Sequence, residues 1–132
     1  MATLKNFEDL EIWKNARILT KLVYEDFSSN KDFGFKDQIQ RCAISVMNNI
    51  AEGFCRGGER EKVNFLNFAR GSIGEVKNMY YVAEDLKYLT PETCMTRRNS
   101  AQGLMNGISS FMKYLKNYNK KGEFRLDCVN AN

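Results

Sequence analysis

Residues able to do chemistry gather on one helical face of Gln38 to Gly53, QIQRCAISVMNNIAEG. At about 100° per residue, Gln38, Arg41, Ser45, Asn48, Asn49 and Glu52 share a narrow polar arc, and Ser72 and Glu75 are candidate partners farther along. A carboxylate, a guanidinium, hydroxyls and amides in one row could move protons, bind a ligand or, with Glu52 and Glu75 together, hold a divalent metal. The chain has no histidine. That removes Ser-His and Cys-His nucleophile pairs and a Glu-x-x-His di-iron centre. Arg41 with Glu52 is no acid–base pair without a cleft and shifted pKa values. The favoured reading is therefore a structural network of Arg41, Ser45, Asn49, Glu52 and Glu75 that holds the helix register. A buried set of this kind must be nearly fully paired. No catalytic residue, metal or cofactor is expected.

The second chemical signal is positive charge. The net charge is +4. Residues 91–132 hold all of the excess, with Arg97, Arg98, Lys113, Lys116, Lys120, Lys121 and Arg125 against Glu92, Glu123 and Asp127. Tyr114 and Tyr118 are interleaved with these lysines, an arrangement suited to phosphate contact and base stacking. Arg97, Arg98, Lys113, Lys116, Lys120 and Lys121 are the candidate residues for RNA or DNA, with Arg56, Arg60 and Lys62 as a second group. The alternative is a solvated, lysine-rich helix end favoured by the helix dipole.

Four helical segments must position these groups. Ile12, Trp13, Ala16, Leu19, Val23 and Phe27 recur at helical spacing from about Glu8 to Phe27. The second helix starts at Asp32 or Gly34 and stops near Phe54, before Gly57-Gly58. Its apolar residues, Ile39, Cys42, Ala43, Ile44, Val46, Met47, Ile50 and Ala51, cover more than half its circumference. Packing on one neighbour cannot satisfy such a helix, so it calls for a bundle and a second subunit. The third helix runs from Glu59 to about Leu89 along Phe65, Phe68, Ala69, Ser72, Ile73, Val76, Tyr80, Ala83 and Leu86. Thr90-Pro91-Glu92 starts the fourth, which follows Leu104, Ile108, Phe111 and Leu115 to about Lys120. Gly71, Gly74, Gly103 and Gly107 interrupt the last two helices and are read as points of tight packing within the bundle. Short loops favour antiparallel neighbours, so the expected fold is all-α, an up-down-up-down four-helix bundle. Residues 1–122 form the single domain and 123–132 a short C-terminal tail.

The length of 132 residues and 43% hydrophobic content suit one globular domain with a sizeable core. No run approaches the roughly 18 apolar residues of a membrane span, and the first residues lack a secretory apolar region. A cytoplasmic location is expected, with no membrane partner and no small-molecule substrate. Cys42, Cys55, Cys94 and Cys128 form no CxxC pair, so zinc binding is not indicated and reduced thiols are expected.

FEDLEIWKNA (Phe7 to Ala16), QIQRCAISVMNNIAEGF (Gln38 to Phe54) and FLNFARGSIGEV (Phe65 to Val76) occur in order. In these blocks the chain resembles the four helix bundle proteins also called 23S ribosomal RNA intervening-sequence proteins. Met47 stands where that pattern often has proline. The resemblance implies a bacterial helical bundle with no recognised catalytic residues. Such proteins are similar in fold to the accessory protein of diversity-generating retroelements, which implies a ring-like homopentamer and nucleic-acid binding. The function expected is thus non-enzymatic: a homo-oligomer, as a pentamer, that binds RNA or DNA or a partner acting on them. The alternative is a purely structural or protein-interaction module.

Overall fold

Two helices begin on side-chain caps that satisfy otherwise free backbone N–H groups. Asp32 accepts from the Phe35 amide at 3.2 Å, and Thr90 Oγ1 from the Thr93 amide at 3.2 Å, with Pro91 at the first helical position. The computed structural model describes residues 5–121, with side chains as far as Asn117. The expected tail and Cys128 lie outside the described residues. Among the described residues a short 3-10 turn, Phe7–Asp9, precedes α1 (Glu11–Asp26), α2 (Phe33–Cys55), α3 (Glu59–Asp85) and α4 (Pro91–Lys121), and no strand occurs.

Two boundaries differ from expectation. Leu10 is extended and buried between the 3-10 turn and α1, so that helix starts at Glu11 and not Glu8. Helix α3 ends at Asp85, short of Leu89. There Lys87 turns into the left-handed region (φ 60°), and its amide and that of Tyr88 close onto Glu84 O and Ala83 O at 3.0 and 2.9 Å. This helix-ending loop usually carries glycine at the left-handed residue.

Helix α1 packs on α2 and α4, and α3 also packs on α2 and α4. The helices run antiparallel to their neighbours: Arg97, early in α4, meets Asp26 at the end of α1, while Gly107, later in α4, lies against Ile12 at its start. The core holds Val23 and Phe27, Ile39, Val46 and Ile50, Leu66, Ile73, Val76 and Tyr80, and Ile108 and Leu115. Fully burying each aliphatic of this kind contributes about 1.5–3 kcal/mol. At the end where α2 and α4 begin, Phe27 packs on Phe35 (5.3 Å between centroids) and on Tyr80 (5.5 Å), and Phe35 on Tyr88 (5.4 Å). The broad apolar arc of α2 is thereby largely absorbed within the chain, with Ile39, Ala43, Val46 and Ile50 buried and Cys42 and Met47 packed at the edge.

The α3 core line is narrower than its sequence pattern. Phe68 is 58% exposed and Leu86 53% exposed, because both sit on the outer edge of the α2–α3 seam. The glycines divide in the same way. A Cβ on Gly53 would lie 3.0 Å from Phe65 Cβ and 3.2 Å from Lys62 O, and one on Gly107 3.3 Å from Ile12. Gly71 and Gly103 face open space, so packing within the bundle does not require them. The buried Lys62 donates to Phe54 O at 2.7 Å and so caps the C-terminal end of α2. Cys42 and Cys94 are free thiols.

Candidate functional site

The polar face of α2 separates into parts. Ser45 and Ser72 share a hydrogen bond between hydroxyls at 2.9 Å, joining α2 to α3. Asn49 Nδ2 donates to Ser45 O at 2.8 Å and to Ser45 Oγ at 3.0 Å. One helical turn earlier, Cys42 Sγ donates to Glu75 Oε2 at 3.3 Å. Burial, and then the Glu75 carboxylate, push the Cys42 thiol up to about 11. Cys42 is thus protonated near neutrality, a donor and a poor nucleophile. These contacts make two separate sets along the seam, Ser45, Asn49 and Ser72 in one and Cys42 and Glu75 in the other.

Arg41 and Glu52 are not in that network. Arg41 pairs with Asp37 at 2.9 Å, with both side chains mostly in solvent. Glu52 pairs with Arg56 at 3.0 Å. The Arg56 guanidinium also lies 3.7 Å from Glu61 and over the Phe65 ring. Exposed pairs four residues apart contribute a few tenths of a kcal/mol. A cavity of about 490 Å³ opens beside Asn48, Asn49, Glu52, Cys55 and Phe65. It brings one carboxylate and two amides together and leaves Glu75 out. Glu75 faces Cys42, which lies ten residues and so about 15 Å along α2 from Glu52. Glu52 and Glu75 therefore cannot share a metal ion, and among the described residues no cluster of three metal-ligating side chains forms.

The basic candidates also divide. Arg97 is held by Asp26 through Nε at 2.7 Å and Nη2 at 3.0 Å, with side chains only 17% and 9% exposed. Tyr80, fully buried, donates its hydroxyl to the same carboxylate at 2.7 Å. Burial and then Asp26 push the Tyr80 phenol well above its usual range, while Asp26 holds the Arg97 guanidinium more firmly protonated. Arg98 pairs with Glu84 at 2.8 Å and lies over the Tyr81 ring. Neither arginine can reach a phosphate without giving up its ion pair. Their role in the bundle had a signal in the sequence: Cys94, Arg97, Ala101, Leu104 and Ile108 keep core spacing along α4.

Lys113 and Lys116 are exposed, and among the described residues no carboxylate lies within ion-pair distance of either. The side chains of Lys120, Lys121 and Tyr118 lie outside the described residues. Tyr114 is half-buried and stacks on Phe111, with centroids 6.1 Å apart and planes at 13°. The antiparallel order puts this end of α4 at the same end of the bundle as the α2–α3 turn, which adds the exposed Arg60. In that second basic group, Lys62 is buried as a cap and Arg56 is paired.

No helix among the described residues is long and apolar enough to cross a membrane. The sequence model of the family described as 23S rRNA-intervening sequence protein matches residues 8–110. A crystal structure of a protein of unknown function from the S23 ribosomal protein family of Bacteroides thetaiotaomicron is similar, with a TM-score of 0.73. It is 20% identical, and the alignment covers 77% of this chain and 98% of that one. At that identity the likeness shows the fold alone. No curated protein gives a significant match.

Proposed function

The chain belongs to the 23S rRNA-intervening sequence protein family, and we propose that it works by association, without catalysis, as a self-associating helical bundle that contacts RNA or DNA. The contact is made by Lys113 and Lys116 on α4, together with Lys120 and Lys121 beyond them. The observation that carries this reading is the division of the basic residues: Arg97 and Arg98 are engaged inside the bundle, while Lys113 and Lys116 are exposed and unpaired among the described residues. Several copies, a ring of five in the expected form, would repeat this weak patch and raise its local field. The non-catalytic part rests on the separation of Glu52 from Glu75 and on the raised Cys42 thiol.

Fluorescence anisotropy of labelled single- and double-stranded RNA and DNA tests the reading. Binding at low salt that weakens steeply as salt rises supports phosphate contact. Absence of binding at low salt to all four probes overturns it. A purely protein-interaction role is the second reading, favoured by the exposure of Ile18, Phe68 and Leu86.

A further inference from the structure

Two stripes face each other along the groove between α3 and α4. Asn67, Arg70, Gly74, Lys77 and Tyr81 recur at helical spacing on α3, as do Arg98, Gln102, Asn106, Ser109, Lys113 and Lys116 on α4. The stripes meet where Arg70 Nη1 donates to Ser109 Oγ at 2.9 Å, where Lys77 Nζ donates to Gln102 Oε1 at 2.7 Å, and where Arg98 lies over the Tyr81 ring. Arg70 Nη2 also donates to Asn67 Oδ1 at 2.6 Å, and Gln102 Nε2 to Asn106 Oδ1 at 2.9 Å. By the helical rise per residue, Gln102 to Lys116 spans about 21 Å of groove.

Among the described residues no carboxylate lies within ion-pair distance of Arg70, Lys77, Lys113 or Lys116. Helix α4 has no acidic residue after Glu92. Between Glu61 and Glu84, α3 has only Glu75, which is turned to Cys42 on α2. Glu84 closes one end of the groove in its pair with Arg98. Glu59, Arg60 and Glu61 lie at the other end, with Glu61 turned toward Arg56. The α1 and α2 surfaces differ: α1 mixes Glu11 and Glu25 with Lys14, Arg17 and Lys21, and α2 pairs Asp37 with Arg41 and Glu52 with Arg56. Neutral acceptors leave the charge of Arg70 and Lys77 uncompensated, whereas a phosphate would neutralise it and take the N–H groups that remain.

We propose that the α3–α4 groove is the path of a single polynucleotide strand, with Arg70 and Lys77 continuing the line of phosphate contacts from Lys116 and Lys113, and Tyr81 stacking a base. The strand is single because Arg70 and Lys77 are half-buried between two helices. A flexible backbone can enter there, and the rigid convex surface of a duplex cannot. Tyr81 is 51% exposed, and only unpaired bases offer their faces to such a ring. This inference rests on the nucleic-acid contact in the proposed function and adds the strand type and a second set of contacts.

Fluorescence anisotropy with oligouridine RNA, oligothymidine DNA and a DNA duplex tests it, on the full-length wild type and on Arg70→Gln/Lys77→Gln and Tyr81→Ala. None of the three positions is buried, and circular dichroism and light scattering confirm that each variant keeps its helices and its mass. The wild type is expected to bind at least one single strand more tightly than the duplex. Arg70→Gln/Lys77→Gln is expected to make the single-strand slope of log affinity against log salt shallower by about 1.4, from two contacts at about 0.7 each. Tyr81→Ala is expected to weaken single-strand binding about 5- to 150-fold and to leave duplex binding unchanged. If either variant binds single strands as the wild type does while Lys113→Gln/Lys116→Gln weakens binding, the groove path is overturned and the proposed function stands. Tighter binding of the duplex than of both single strands has the same consequence. No binding of any probe at low salt overturns both.

Discussion

Arg97 grips Asp26 with two hydrogen bonds, at 2.7 and 3.0 Å, and ties the start of α4 to the end of α1. Tyr80 completes the arrangement from α3. One carboxylate thus joins three of the four helices at a point with little access to water. Removing one partner of a buried ion pair leaves the other charge uncompensated, at a cost of about 3–5 kcal/mol. Arg97→Met is expected to lower unfolding stability by about 3 kcal/mol in urea denaturation and to leave nucleic-acid affinity of the folded protein unchanged. Lost affinity without lost stability would return Arg97 to the contact surface.

The glycines predict effects of opposite sign. Gly53→Ala places a methyl 3.0 Å from Phe65 Cβ and 3.2 Å from a backbone carbonyl, an overpacking that costs about 1–3 kcal/mol. Gly71→Ala enters open space and gains up to about 1 kcal/mol from helix propensity. Urea unfolding of both variants checks the pair. Equal signs would contradict the packing described for the α2–α3 seam.

The helices were legible because apolar spacing, Pro91 and the Gly57-Gly58 turn are local signals. The α3 end was not, since Lys87 occupies a left-handed position where glycine is the usual sign. The apolar pattern of α3 is broader than its core face, because periodicity cannot separate Ile73 in the core from the exposed Phe68. Within the polar face, Ser45 bonds both Asn49 and Ser72, Glu75 instead takes Cys42, and Arg41 and Glu52 find nearer partners one turn away on their own helix. Asp26 and Arg97 are 71 residues apart in the chain. No local pattern announces that pair, although the core position of Arg97 was a clue.

Asp32 links α2 to the turn before α4. The Tyr88 hydroxyl, and then the Phe35 amide, hold its carboxyl below the ordinary 3.8. A depressed folded pKa adds stability above the unfolded value, and that stability is lost as pH falls through the folded one. Asp32→Asn is therefore expected to lower the thermal midpoint at pH 7, with the gap from wild type closing as pH drops below 3.8. A gap that is the same at pH 7 and pH 2 would contradict the carboxylate contacts.

Cys42 should react slowly. With its pKa at about 11, roughly one molecule in a thousand is thiolate at pH 8. Iodoacetamide labelling at Cys42, followed by peptide mass spectrometry, is expected to rise about tenfold per pH unit between pH 8 and 10. Glu75→Gln should speed it only in part, because burial is the larger cause. Rapid labelling at pH 8 would show that the thiol is not held as described.

The proposed function turns on Lys113 and Lys116. Each phosphate contact contributes about 0.9 to the slope of log affinity against log salt on duplex DNA, and about 0.7 on single strands. The most direct measurement compares that slope for the wild type and for Lys113→Gln/Lys116→Gln, with an assembly of unchanged mass. The account predicts a slope shallower by about 1.4–1.8 per bound chain. An unchanged slope with detectable binding would contradict it and place the phosphate contacts on another surface.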